Sequence, residues 1–165
     1  MPYILELRKK KMYKCNVLLL FLVIYSCKVS NRPIDYGSDE CEFCKMIVMD
    51  KRYGSELVTE KGKVYIFDSS ECLIDYLFHN EETGIKAHSL LVTPYLNPDH
   101  LIDAKSATYL VCGQMPSPMG AYLTAFSDKE TAKETQSSKG GYLFTWEELV
   151  TNFESIRVNA IKEFE

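Results

Sequence analysis

The residues best equipped for chemistry are sulfurs gathered at two places. One is Cys41-Glu42-Phe43-Cys44-Lys45-Met46, with Met49 close behind; the other is Met115-Pro116-Ser117-Pro118-Met119-Gly120. Core methionines fill gaps wherever they occur, whereas thiolates and thioethers grouped together form the donor set that Cu(I) selects. In an extended chain residues i and i+2 face the same way, so Cys44 and Met46 can approach one ion from a single strand or strand entrance. Cys41 lies on the loop side of Cys44 and either adds a third sulfur or bonds to Cys44. Met49 has the opposite parity in a regular strand, shares a face with Ile47 and is assigned to the core. Met119 stands between a proline that fixes the preceding φ and a glycine that frees the backbone after it, which holds a flexible side chain on a rigid loop. Met115 is the lesser candidate on that loop.

Other chemistries fit less of the pattern. A thioredoxin-like centre puts Cys-x-x-Cys at a helix start, whereas an apolar, strand-like run, Met46-Ile47-Val48-Met49, follows here. A structural zinc site needs a second pair of ligands at matching spacing, and Cys72 and Cys112 stand alone, as do His79, His88 and His100. Cys72 is read as the buried face of a helix and Cys112 as a strand end. No nucleophile elbow, Gly-rich phosphate loop or His-Glu zinc motif occurs, which argues against an enzyme. Three readings stand: a Cu(I)-binding module, a thiol-disulfide oxidoreductase using Cys41 and Cys44, and a structural lipoprotein in which those cysteines form an inert disulfide.

The elements that must position these sulfurs follow an export signal. Arg8, Lys9, Lys10, Lys11 and Lys14 precede an apolar run from Val17 to Tyr25, too short to span a bilayer as a helix. It ends at Ile24-Tyr25-Ser26-Cys27, which resembles a lipobox, so Cys27 is expected to carry a lipid and residues 1–26 to be removed. Those residues hold five of the 19 basic and one of the 23 acidic groups, leaving 14 against 22, a net charge of −8. Such a surface repels nucleic acid. In an oxidising compartment the cysteines tend to pair, so unpaired ones need a reason.

Residues 27–40 read as a lipidated flexible tether and residues 41–165 as one domain. Glu56 to Thr59 and Lys63 to Phe67 flank a tight turn. Ser69 or Ser70 can cap a helix to about His79, and Ser89 to Thr93 returns as a strand. The second half repeats that order: strands at Thr108 to Val111 and Ala121 to Phe126, a helix from an Asp128 cap to Ser138, a stop at Gly140-Gly141, and a strand at Tyr142 to Thr145. A closing helix runs from Trp146 to about Ile156. The fold class is therefore α+β, two ββαβ units packed together.

The order Cys41-x-x-Cys44-x-Met46, Phe67-Asp68-Ser69-Ser70-Glu71-Cys72, Leu101-Ile102-Asp103-Ala104 with Ala107 and Tyr109, Pro118-Met119-Gly120 with Ala125-Phe126, and Gly140-Gly141 resembles the NosL family. These are copper lipoproteins associated with assembly of nitrous oxide reductase, and the resemblance covers roughly residues 41 to 150. It implies a lipid-anchored domain facing the periplasm, similar in fold to an organomercurial lyase domain. That domain would carry Cu(I) toward the copper-sulfide centre of the reductase. The implied partners are nitrous oxide reductase or its maturation transporter complex, with the membrane engaged through Cys27. By position Cys44, Met46 and Met119 match the family's thiol and thioether motif, and Cys41 matches a cysteine that only some members have. Lys45 stands where glycine is often seen, and Leu101 where an aromatic is common.

Overall fold

The computed structural model describes residues 29–164, so the export signal and Cys27 lie outside the described residues. Seven strands form two antiparallel sheets. The first has the order β2-β1-β3-β4, from β1 (Ser55–Thr59), β2 (Val64–Phe67), β3 (Ala87–Val92) and β4 (Ile102–Asp103). The second has the order β6-β5-β7, from β5 (Thr108–Val111), β6 (Leu123–Phe126) and β7 (Tyr142–Phe144). Helix α1 (Ser70–His79) follows β2, and α2 (Lys129–Lys139) follows β6 at the equivalent place in the second unit. The two ββαβ units are therefore present, and β4 is a short addition that pairs with the end of β3.

The local causes are those legible in the chain. The Ser69 side chain accepts from the Cys72 N–H and starts α1, while Asp128 accepts from the Thr131 N–H at 2.9 Å and starts α2. At the end of α2, Gly141 has φ +96° and a Cβ there would run into the Val111 carbonyl oxygen, so this glycine lets β7 close onto β5. Helix α3 (Trp146–Phe164) runs eight residues beyond the expected end, with non-helical backbone at Asn152. Its Arg157 Nη2 donates to both oxygens of Asp75 at 2.7 Å, fastening α3 to α1. The two units share one main core, which includes Leu57, Phe67, Leu73 and Ile74 from the first and Tyr109, Leu123 and Ala125 from the second.

Two expectations need correction. Met46 to Met49 form no strand: Ile47 makes an isolated bridge to Glu40, and Lys45 at φ +63° turns the chain sharply just before it. With the alternation broken, Met49 is 67% exposed rather than core, and Val48 is the buried member of the run. The described part of the tether is also packed in place. Ile34 and Tyr36 lie against the main core, and the Arg32 guanidinium pairs with Asp39 at 2.7 Å.

Candidate metal centre

The Cys41–Cys44 segment is a turn fixed from both sides. Lys45 N–H donates to the Cys41 carbonyl at 3.0 Å, Cys41 N–H to the Met46 carbonyl at 2.8 Å, and Glu42 N–H to the Ile66 carbonyl at 2.8 Å. The last bond sets the turn beside the end of β2, where the chain enters α1. The third residue of α1 is Cys72, and its sulfur joins those of Cys41 and Cys44: the three lie within 4.8 Å of one another. Cys41 and Cys72 are fully buried and Cys44 is partly exposed. All four described cysteines, Cys112 included, are free thiols.

Three sulfurs bound to one ion at a typical metal–thiolate length of about 2.3 Å would lie about 4 Å apart, so the cluster needs at most a small contraction to hold a soft ion. The cluster unites residues separated in sequence by a hairpin, which is why Cys72 was assigned to packing. It does occupy the buried face of its helix, and it also completes the sulfur group. The available signal was a further cysteine, Cys72, in the helix that follows the hairpin after Cys-x-x-Cys.

The sulfurs differ in their readiness to ionise. Cys41 is pulled down to about 5, chiefly because the Cys72 thiol donates to it, aided by backbone N–H groups of Asp68, Cys44 and Phe43 and opposed by burial. Cys72, the donor in that pair, is pushed far upward by the same hydrogen bond and by burial. Burial also raises Cys44. These shifts favour one thiolate, on Cys41, beside two neighbours that keep their protons.

Of the thioethers, Met46 follows Cys44 by two residues and Met119 lies on a loop of the second unit. Met46 is 48% exposed, and Met119 is partly buried against the same core that contains Cys41, Cys44 and Cys72. Met115 is buried in a smaller second cluster with Leu110, Cys112 and Phe126, so its role is packing. The Cys112 thiol faces the Lys139 carbonyl at 3.4 Å, away from the other three. The Met119 loop is pinned at several points: Tyr53 Oη donates to the Pro116 carbonyl at 3.0 Å, and Gly120 N–H donates to the Ser117 carbonyl at 3.1 Å. Glu71, which precedes Cys72 in α1, is fully buried. Its Oε1 accepts from Ser117 Oγ and from the Ala121 N–H at 3.3 Å. Sequence reading placed Glu71 inside a motif without giving it a task.

Comparison with known proteins agrees with this architecture. The copper-binding lipoprotein NosL of Stutzerimonas stutzeri is 32% identical over 120 residues, spanning 69% of this chain and 63% of that relative. The crystal structure of the copper chaperone NosL from Shewanella denitrificans superposes with a TM-score of 0.62 at 25% identity, covering 74% of this chain and 96% of the other. The NosL family model matches residues 35–153, and on that extent of agreement the chain belongs to the NosL family.

Proposed function

We propose that this protein is a Cu(I) carrier, a binding protein rather than an enzyme, and that Cys41, Cys44 and Cys72 hold the ion. The observation that carries the reading is the convergence of three thiol sulfurs within 4.8 Å, in a chain whose named relatives are a copper-binding lipoprotein and a copper chaperone. Soft sulfur donors favour Cu(I) over Cu(II) and over oxygen-loving ions. Met119 and the exposed Met46 serve as thioether donors at the rim, weak enough for a partner's ligand to displace them before the thiolates let go. The partly exposed Cys44 links the buried sulfurs to that rim.

In this reading the chain is an exported lipoprotein held at the envelope through Cys27, facing the periplasm. It delivers copper for the copper-sulfide centre of nitrous oxide reductase, directly or through that enzyme's maturation transporter complex. The supports are the basic-apolar-lipobox order of residues 8 to 27 and the family relationship. No helix among the described residues is long and apolar enough to cross a membrane.

Binding is tested by anaerobic competition titration of the reduced protein against a chromophoric Cu(I) chelator. One ion per chain is expected, with a large loss of affinity in Cys44→Ala and in Cys72→Ala; unchanged affinity in both variants would refute the site. Delivery is tested by mixing the loaded protein with copper-free reductase in the presence of inorganic sulfide. The copper-sulfide centre's absorption should appear, and its failure to form even with the transporter complex supplied would refute the client.

A further inference from the structure

We infer that Glu71 is a positioning residue for the metal centre: its buried carboxyl group clasps the methionine loop of the second unit onto the cysteine-bearing helix of the first, and so sets where Met119 stands relative to the thiols. The inference rests on the reading of Met119 as a donor. Three contacts carry it. Ser117 Oγ donates to Glu71 Oε1, the Ala121 N–H donates to the same oxygen at 3.3 Å, and the Leu123 N–H donates to Ser117 Oγ at 3.2 Å. These bonds grip the loop on both sides of Met119, and Glu71, which accepts the first two, adjoins Cys72 in α1. The two units contribute different donors, so their relative placement sets whether thiol and thioether can share an ion.

The clasp is costly as a structural device. Glu71 and Ser117 are both buried, and Glu71 Oε2 has no hydrogen-bond partner. A buried carboxyl with an empty acceptor destabilises a core that an apolar side chain would fill more cheaply. The carboxyl adds a grip at the tip of a loop whose base is closed by the Cys112 N–H to Tyr122 carbonyl bond at 3.1 Å and which is also held by Tyr53 at Pro116 and by the Ser117–Gly120 turn. Partners that orient metal ligands change affinity roughly 10- to 100-fold when removed.

The test is a double-mutant cycle on Cu(I) affinity with the reduced full chain: wild type, Glu71→Ala, Met119→Ala and the pair, with Glu71→Gln as the conservative variant. The expected result is a loss of about tenfold or more in Glu71→Ala, a similar loss in Met119→Ala, no further loss in the pair, and near wild-type binding in Glu71→Gln. A Glu71→Ala loss that persists undiminished in the Met119→Ala background would overturn the inference, because the carboxyl group would then act on the fold at large. Unchanged affinity in Met119→Ala would remove the donor reading itself, and the positioning role with it. Should Glu71→Ala lose its folded circular dichroism, Ser117→Ala opens the same clasp from the loop side and takes its place in the cycle, with the same outcomes deciding.

Discussion

Lowering the pH should loosen the copper with a slope that counts the thiols. In the empty protein Cys41 is ionised above about 5, while Cys44 and Cys72 are both shifted upward and keep their protons through neutrality. Metal ligation requires thiolates, so an ion held by all three sulfurs must expel two protons, from Cys44 and Cys72; thioethers expel none. The apparent binding constant should then fall about 100-fold for each pH unit of acidification. From pH 8 to pH 6 that is a loss of about four decades, or about 5 kcal/mol, at roughly 1.36 kcal/mol per proton and pH unit. A site made of Cys44 with Met46 and Met119 would lose only about two decades over the same interval. The assay is a chelator competition titration across that range, paired with direct measurement of protons released into weakly buffered solution at pH 7. A slope of one, with one proton released per ion, would refute the three-thiol site.

Two backbone positions give independent checks. Lys45→Gly relieves a left-handed residue at φ +63°, a relief of about 1–2 kcal/mol that the greater freedom of glycine in the unfolded chain partly offsets. A net gain of about 0.5–1 kcal/mol in denaturant unfolding is expected with copper affinity unchanged, and a loss of stability would refute the strain argument. Gly141→Ala forces a Cβ against the Val111 carbonyl and Cys112 at φ +96°, and should cost about 2 kcal/mol or more while the cysteine cluster in the first unit keeps its Cu(I) stoichiometry. A neutral result in the melting temperature would show that α2 and β7 meet differently.

The parts of the fold that were legible in the chain are those with local causes. Ser69 and Asp128 cap their helices, the Glu60-Lys61-Gly62 turn separates two strands, and Gly140-Gly141 ends the second helix, each within a few residues of its signal. Met46 to Met49 misled because parity arguments assume a regular strand. The single left-handed residue Lys45 removes that regularity, so Met49 points outward. Of the sulfurs singled out in the chain, Cys41 and Cys44 do lie together in the cysteine cluster. Cys72 was hidden because a buried helical cysteine shows the same sequence pattern whichever neighbours its sulfur meets. The Glu42–Ile66 bond, linking the turn to the strand before α1, helps hold the turn beside Cys72.

Copper K-edge X-ray absorption on the reduced, Cu(I)-loaded protein tests the central claim most directly. The three-thiol account predicts a first shell made of sulfur alone, at about 2.3 Å, that loses one scatterer in Cys72→Ala. A shell containing nitrogen or oxygen, or a spectrum that Cys72→Ala leaves unchanged, would contradict it.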